Sequence, residues 1–327
     1  MNLGTVQVAA GEKQSGFLRV PGCGYELPVT VICGSENGKT ALVTAGIHSA
    51  EYVGIQAAIE LASELTPEEV HGTVIIAPLI NVSGFSRRTM SMVYEDNKNL
   101  NREFPGAVGG TVAQQICHTV AAELITRADF YIDLHSGDGY EDLHTYAYYV
   151  GPVDPIVREQ AFQMARRVKA GYLVESQSTT GGAYNYANSI GIPAILIERG
   201  GQGIWRRSEV DLDKEDVRRI LACLGILEGQ PDEPPEDQIV FKEAVYENAP
   251  VGGCWYPYLQ PGDRFENGAV LGEIRDYFGN LLHTCIAKTD GMILYQVTSL
   301  TILKDGPMIT YGVLPSSSAA PCAQAKA

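Results

Sequence analysis

A chain of 327 residues with 45% hydrophobic side chains is long enough to bury one large core and a second, smaller one. Its 39 acidic residues against 24 basic ones leave a formal net charge of −15, which repels phosphate backbones and argues against nucleic acid as a partner. No apolar run approaches the roughly 20 residues of a membrane span, and the seven cysteines never form C-x-x-C, so reduced thiols without a disulfide framework are expected.

In chain order, residues 1–35 read as short strands punctuated by Gly16, Pro21-Gly22, Gly24 and Gly34. No basic, apolar and small-residue series of the kind that targets a chain for export is seen there, and a cytoplasmic location is expected. Thr40–Ala45 (TALVTA) is a buried strand that Gly46 breaks. Apolar residues at Val53, Ala57, Ile59 and Leu61 predict a helix over about residues 50–65. A second apolar strand is expected over 73–80, and the strand–helix–strand order indicates an α/β sheet. Residues 81–110 are polar and rich in Gly and Pro; so long a loop inside a compact domain is usually functional.

A helix over about 112–126, a strand over 130–134 and a helix over 154–170 follow. A strand over 194–197 is launched by Gly191-Ile192-Pro193, and a helix over about 212–227 closes this part. Residues 229–238 (GQPDEPPEDQ) form an acidic, Pro-rich linker. Beyond it, turn signals at Pro261-Gly262-Asp263, Asn267-Gly268, Phe278-Gly279-Asn280, Asp290-Gly291 and Asp305-Gly306 space short β-like runs. The expected organisation is a large α/β domain over 1–228, the linker, a β-rich domain over 239–314 and a disordered Ser/Ala-rich tail over 315–327.

Four patterns carry chemistry. In Gly46-Ile47-His48-Ser49-Ala50-Glu51, a His closes a strand and a Glu follows three residues on, at the first turn of a helix, so the two side chains share a face. In Asp133-Leu134-His135-Ser136-Gly137, another His closes another apolar strand, with Asp133 on its own side to orient the ring. Two His and one Glu at strand ends suit Zn²⁺ with a fourth position open, the catalytic pattern. In Ala194-Ile195-Leu196-Ile197-Glu198-Arg199-Gly200-Gly201, an acidic residue ends a further strand; it is either a proton carrier beside the metal or an ion-pair partner of Arg199. The loop holding Arg87, Arg88, Asn101 and Arg102 offers Arg and Asn donors that grip a carboxylate or stabilise an oxyanion, or else a solvated charged surface.

In order, the chain reads H-x-x-E, N-L-N-R-x-F-P-G, D-L-H-x-G and I-P-A-x-x-x-E-x-G-G. This resembles the succinylglutamate desuccinylase/aspartoacylase family, the deacylase branch of the zinc carboxypeptidase superfamily, over about residues 20–312. The resemblance implies a mixed eight-stranded sheet flanked by helices, with a small all-β, barrel-like C-terminal domain. It also implies one Zn²⁺ held by His48, Glu51 and His135, with Glu198 as the catalytic carboxylate. Asn101 and Arg102 match the pair that binds the substrate's terminal carboxylate. Arg88 falls at the oxyanion arginine, with Arg87 adjacent as a further substrate-binding candidate. Val82 stands where many relatives have Pro and Asn97 where many have Gly, departures that bear on substrate preference.

The expected reaction is hydrolysis of an N-acyl amino acid or related small amide: Glu198 deprotonates water and later protonates the departing amine. A carboxypeptidase acting on peptides is the nearest rival. A non-catalytic carrier is disfavoured, because Lys288 precedes rather than occupies the hairpin tip Lys288-Thr289-Asp290-Gly291. A serine hydrolase would need G-x-S-x-G, which is absent from the sequence. Tyr184, Asn185 and Tyr186 lie shortly before the catalytic strand and are candidates to line the pocket. The expected partner is a small acylated molecule; homo-oligomerisation is left open.

Overall fold

The computed structural model describes residues 1–229 and 233–314; the expectations for residues 230–232 of the linker and for the 315–327 tail lie outside the described residues. A mixed nine-stranded sheet runs through the molecule. Its strands are β1 (Lys13–Arg19), β2 (Glu26–Cys33), β3 (Thr40–Ala45), β4 (Thr73–Ala77), β5 (Phe130–His135), β6 (Tyr146–Val150), β7 (Tyr172–Ser176), β8 (Ala194–Glu198) and β9 (Ile239–Phe241). Their spatial order is β9-β7-β6-β8-β5-β3-β4-β2-β1. Eight strands come from residues 1–228, as the resemblance implies; β9 joins from beyond the linker, parallel to β7.

The strands β4, β3, β5 and β8 are mutually parallel, so their C-terminal ends open on one edge of the sheet. They read as continuous apolar runs because both faces are covered. Alternate side chains feed different cores: Leu42, Tyr131 and Leu196 join one, while Val43, Ile132 and Ile195 join the other. Helices α1 (Tyr52–Glu64), α4 (Pro155–Ala165) and α6 (Arg207–Cys223) fill the second core. Helices α3 (Val112–Glu123) and α5 (Ala183–Ser189) pack in the first. Gly54 lets α1 lie close on β5: a Cβ there would stand 2.7 Å from that of Leu134.

Several boundaries differ from the sequence expectation. Strand β4 ends at Ala77, where Pro78 follows, and α6 begins at Arg207, ahead of the expected start near 212, because the charged residues of its first turns hide the apolar pattern. The long loop contains a short helix, α2 (Val82–Arg87), capped by the Asn81 side chain accepting the Gly84 N–H, and a 3₁₀ turn over Leu100–Arg102. Strands β6 and β7 and helix α5 were not anticipated.

The C-terminal part forms two antiparallel sheets around Trp255, Leu271, Ile274, Ile293 and Tyr311. It is tied to the main sheet in two ways. A fourth apolar cluster joins Tyr146 and Val174 to Phe241, Met292, Leu294 and Leu314. The short strand Glu141–Leu143, just after β5, pairs with Gly291–Val297 of the C-terminal part.

Candidate active site

Each site residue sits where a strand stops. Strand β3 ends at Ala45; Gly46, at φ 66°, makes the turn that presents His48. Glu51 is the cap residue of α1, and His135 is the last residue of β5. Glu198 is the last residue of β8, directly across from His135 in the sheet register.

Glu51 bridges the two imidazoles. Its Oε1 lies 2.6 Å from His48 Nδ1 and its Oε2 2.8 Å from His135 Nδ1. The opposite nitrogens are each held by an oxygen: His48 Nε2 lies 3.0 Å from Asn99 Oδ1, and His135 Nε2 lies 3.1 Å from Asp133 Oδ2. Those oxygens accept the Nε2–H of each ring, and each Nδ1 faces Glu51, donating to its carboxylate in this structure; a bound metal would take the place of that proton. Asp133 is itself fixed by Thr44, whose hydroxyl donates at 2.7 Å, and Thr44 also meets the Tyr131 hydroxyl at 2.6 Å. The ligand atoms of His48, Glu51 and His135 lie within 4.8 Å of one another. Two nitrogens and one carboxylate converging from a buried wall fit a divalent ion such as Zn²⁺.

Burial alone would raise the Glu51 carboxyl, but the two histidines outweigh it and hold the group down at about 2. Glu198 goes the other way. Burial and the Glu51 charge push it well above the usual carboxylate range. Its Oε2 has no hydrogen-bond partner among the described residues. A half-buried carboxylate with a shielded, unpartnered oxygen, beside a cluster that could hold a metal, is suited to carrying a proton.

A cavity of about 410 Å³ brings His48, His135, Glu198, Asn101 and Arg102 together, within the range of small-molecule sites. Glu51 lies beneath it, bonded to both histidines. Asn101 is buried, and its Oδ1 accepts the Ala183 N–H at 3.0 Å, which locks the Leu100–Arg102 turn against α5. Arg102 is exposed to the cavity and donates to the Asn101 carbonyl at 2.8 Å. Arg87 and Arg88 are exposed and do not line the cavity; the Arg87 guanidinium stands 5.0 Å over the Tyr94 ring, and Arg88 ends α2 in a left-handed conformation. Tyr184 and Asn185 line the cavity, whereas Tyr186 does not.

Two residues of the site escaped the sequence reading. Asn99 uses one amide oxygen for two tasks, meeting His48 and accepting the Asn101 N–H at 2.8 Å. Its place two residues before Asn101 in N-L-N-R was the available signal. Tyr246 comes from the strand Ala244–Asn248 in the C-terminal part, lines the cavity, and places its hydroxyl 3.2 Å from that of Tyr148. No local spacing announces that contact.

The model of the succinylglutamate desuccinylase/aspartoacylase catalytic domain matches residues 37–224. N-alpha-acetyl-L-2,4-diaminobutyric acid deacetylase of Halomonas elongata is 31% identical over 289 residues, spanning 83% of this chain and 82% of the relative. The product-bound structure of the ectoine utilisation protein EutE (DoeB) of Ruegeria pomeroyi superposes with a TM-score of 0.84 at 26% identity, over 95% of this chain and 98% of that one. A succinylglutamate desuccinylase/aspartoacylase structure from Rhodobacter sphaeroides gives 0.83 at 24% identity, over 95% and 99%, a likeness of fold.

Proposed function

Since the chain belongs to the succinylglutamate desuccinylase/aspartoacylase family and is thereby a hydrolase of amide bonds, we propose that it deacylates a small N-acyl amino acid with one Zn²⁺ held by His48, Glu51 and His135. When bound there, the ion supplies Lewis acidity to the scissile carbonyl and acidifies the attacking water. The remaining work falls to the chain. Glu198 accepts the water's proton on its unpartnered carboxylate and delivers it to the leaving amine. Asp133 and Asn99 keep the two imidazoles in the tautomer that turns Nδ1 inward.

Arg102 and Asn101 take the free carboxylate of the substrate; Asn101 has no described use for its amide N–H donors, and Arg102 spends one on its own loop. Arg88 would serve as the oxyanion arginine only by turning its side chain from its exposed position into the cavity; the neighbouring Arg87 is engaged by Tyr94. Residues 1–228 supply the chemistry and 239–314 form a second unit that narrows the cavity. Tyr246, reaching in from that unit, favours a small acyl amino acid over a peptide chain.

The observation that carries the proposal is the His48–Glu51–His135 cluster with Glu198 opposite His135. It is tested by measuring acyl release from a panel of N-acyl amino acids and C-terminal peptides, before and after chelation and with zinc restored. Release from the acyl amino acids that chelation abolishes and zinc restores is expected. Preferential trimming of peptides would overturn the substrate assignment, and activity indifferent to chelation would overturn the metal.

A further inference from the structure

The C-terminal part reaches the site by a second route, outside the cavity. Between His135 and the strand Glu141–Leu143 runs a short loop whose backbone serves both sides of the proposed chemistry. The Ser136 N–H donates to Glu51 Oε2 at 3.1 Å. The Gly137 N–H donates to the Gly200 carbonyl at 3.0 Å and the Gln202 N–H to the Glu141 carbonyl at 2.6 Å, so the loop is zipped to the turn that follows Glu198. Gly137 and Gly201 permit that closeness: a Cβ at either would stand 2.5 or 2.8 Å from the Glu141 carbonyl oxygen. On a third side the Ser91 hydroxyl donates to Asp138 Oδ2 at 2.8 Å. The Met90 carbonyl beside it accepts both the N–H and the hydroxyl of Ser49, the neighbour of His48.

The Glu141 side chain closes this loop. Its Oε2 accepts the Asp138 N–H at 3.1 Å, and the Glu141 N–H returns to the Asp138 carbonyl at 3.1 Å. Its Oε1 accepts the Tyr295 hydroxyl at 2.7 Å, from the strand Gly291–Val297 of the C-terminal part. Burial, with the charges of Asp138 and Glu51, pushes the Glu141 carboxyl up to about 7. A neutral staple would hold the turn at less cost, and such costs are kept where function needs them. Glu141 and Tyr295 do not line the cavity, so they act through the loop.

We infer that Tyr295 is a positioning residue: bonded to Glu141, it fixes the loop over residues 136–141 and through it holds Glu51 and Glu198 in their relative places. This rests on the deacylase reading above. The C-terminal part then governs turnover as well as the shape of the cavity, because a small displacement of a reacting group is felt steeply in rate.

The test measures kcat, KM and zinc affinity for the wild type, Tyr295→Phe, Glu141→Ala, Glu141→Gln and the double variant Tyr295→Phe/Glu141→Ala. Substrates are a panel of N-acetyl and N-succinyl L-amino acids, and kcat is referred to zinc-loaded protein, so that loss of folded enzyme does not enter. Tyr295→Phe is expected to lower kcat about tenfold and to change KM less than about twofold, the scale of a lost orienting partner. Zinc affinity, read by competition with a chromogenic chelator, is expected to weaken with it, since Glu51 leans on the same loop. Glu141→Gln keeps an oxygen for the Asp138 N–H and an N–H for the Tyr295 oxygen, and is expected to recover most of the kcat that Glu141→Ala loses. The double variant is expected to lose no more than Glu141→Ala, as for two groups on one path. Unchanged kcat or zinc affinity in Tyr295→Phe, a loss confined to KM, no rescue by Glu141→Gln, or losses that multiply in the double variant overturn the role of Tyr295 and leave the deacylase intact. Failure of the wild type to release acyl groups from any member of the panel overturns the deacylase reading itself.

Discussion

In the proposed reaction, one proton carrier and the orientation of two imidazoles set the chemistry of this site. Glu198 is half-buried with a shielded, unpartnered Oε2, and is held well above the usual carboxylate range by desolvation and the charge of Glu51. Replacing it by Gln keeps the shape and removes the proton relay. Turnover is expected to fall about 10³-fold, the ordinary range for a positioned acid–base group, with stoichiometric metal still bound. Metal analysis and acyl release measured on the same preparation check this; near-full turnover would remove Glu198 from the mechanism. Asp133 acts one step back, through His135 Nε2 at 3.1 Å. Asp133→Asn keeps the volume but weakens the acceptor, and metal affinity is expected to drop about 10–100-fold, read by competition with a chromogenic chelator. An unchanged affinity would show that the ring is held by other contacts. The roles of His48, Glu51, His135 and Glu198 could be suggested from sequence because each ends or follows an apolar run. The hold of Asn99 on His48 could not, since 51 residues separate two groups that meet only through the fold.

At the scale of elements, β8 and α6 are locked by a buried ion network. Arg199, one residue past Glu198, is fully buried and donates to Asp213 and Asp216 of α6, each at 2.6 Å. Its backbone N–H also donates to the His135 carbonyl at 3.1 Å, so the network ties the proton carrier's strand to that of a proposed metal ligand. The sequence left Arg199 as a rival partner for Glu198; the structure pairs it with α6 instead. Arg199→Met would strand the buried Asp213 carboxylate, while Asp216 keeps Arg219 at 2.7 Å and the Lys169 N–H at 3.0 Å, and a loss of about 3–5 kcal/mol is expected, measured by urea unfolding. A loss below about 1 kcal/mol, the scale of an exposed pair, would mean that water replaces the guanidinium. On the opposite flank of α6, Glu60 of α1 takes Arg207 at 2.7 Å and Lys214 at 2.8 Å. Hydrogen bonds to Arg207 and Lys214 depress the Glu60 carboxyl well below its ordinary value. A depressed carboxyl stabilises the fold above the unfolded-state pKa, near 4.5, and loses that contribution as pH falls through the folded value. The wild type is therefore expected to lose more stability than Glu60→Gln on acidification below about pH 4.5. Parallel stability–pH curves for the two proteins would refute the assignment. Strands β3, β5 and β8 were legible because burial on both faces leaves uninterrupted apolar runs. Strands β6 (YAYYV) and β7 (YLVES) were not, because Tyr148, Glu175 and Ser176 line the cavity and their polar groups break the pattern.

Over the whole molecule, the acidic linker suggests two separable units, yet the contacts across it are those of one core. Strand β9 completes the edge of the main sheet beside β7. Phe241, Met292, Leu294 and Leu314 cover Tyr146 and Val174. The Glu141–Leu143 strand pairs with Gly291–Val297, and the Tyr295 hydroxyl donates to Glu141 at 2.7 Å. The composition shift marks the linker, but the chain leaves the main sheet only after β9, between Phe241 and Ala244, and composition says nothing of how closely the two parts then pack. A chain ending at residue 228 would expose the apolar face of Tyr146 and Val174 and leave β7 as an unpaired edge, the two features that promote association. It would also lose Tyr246 from the cavity and Glu243 from its margin. Such a fragment is expected to aggregate or to melt without a cooperative transition, and to release no acyl groups, whereas the full chain unfolds as one unit. Size-exclusion chromatography and differential scanning calorimetry on both proteins decide the point. A monomeric fragment with its own sharp transition would show that the second unit is an accessory to the fold and that its contribution is confined to the site.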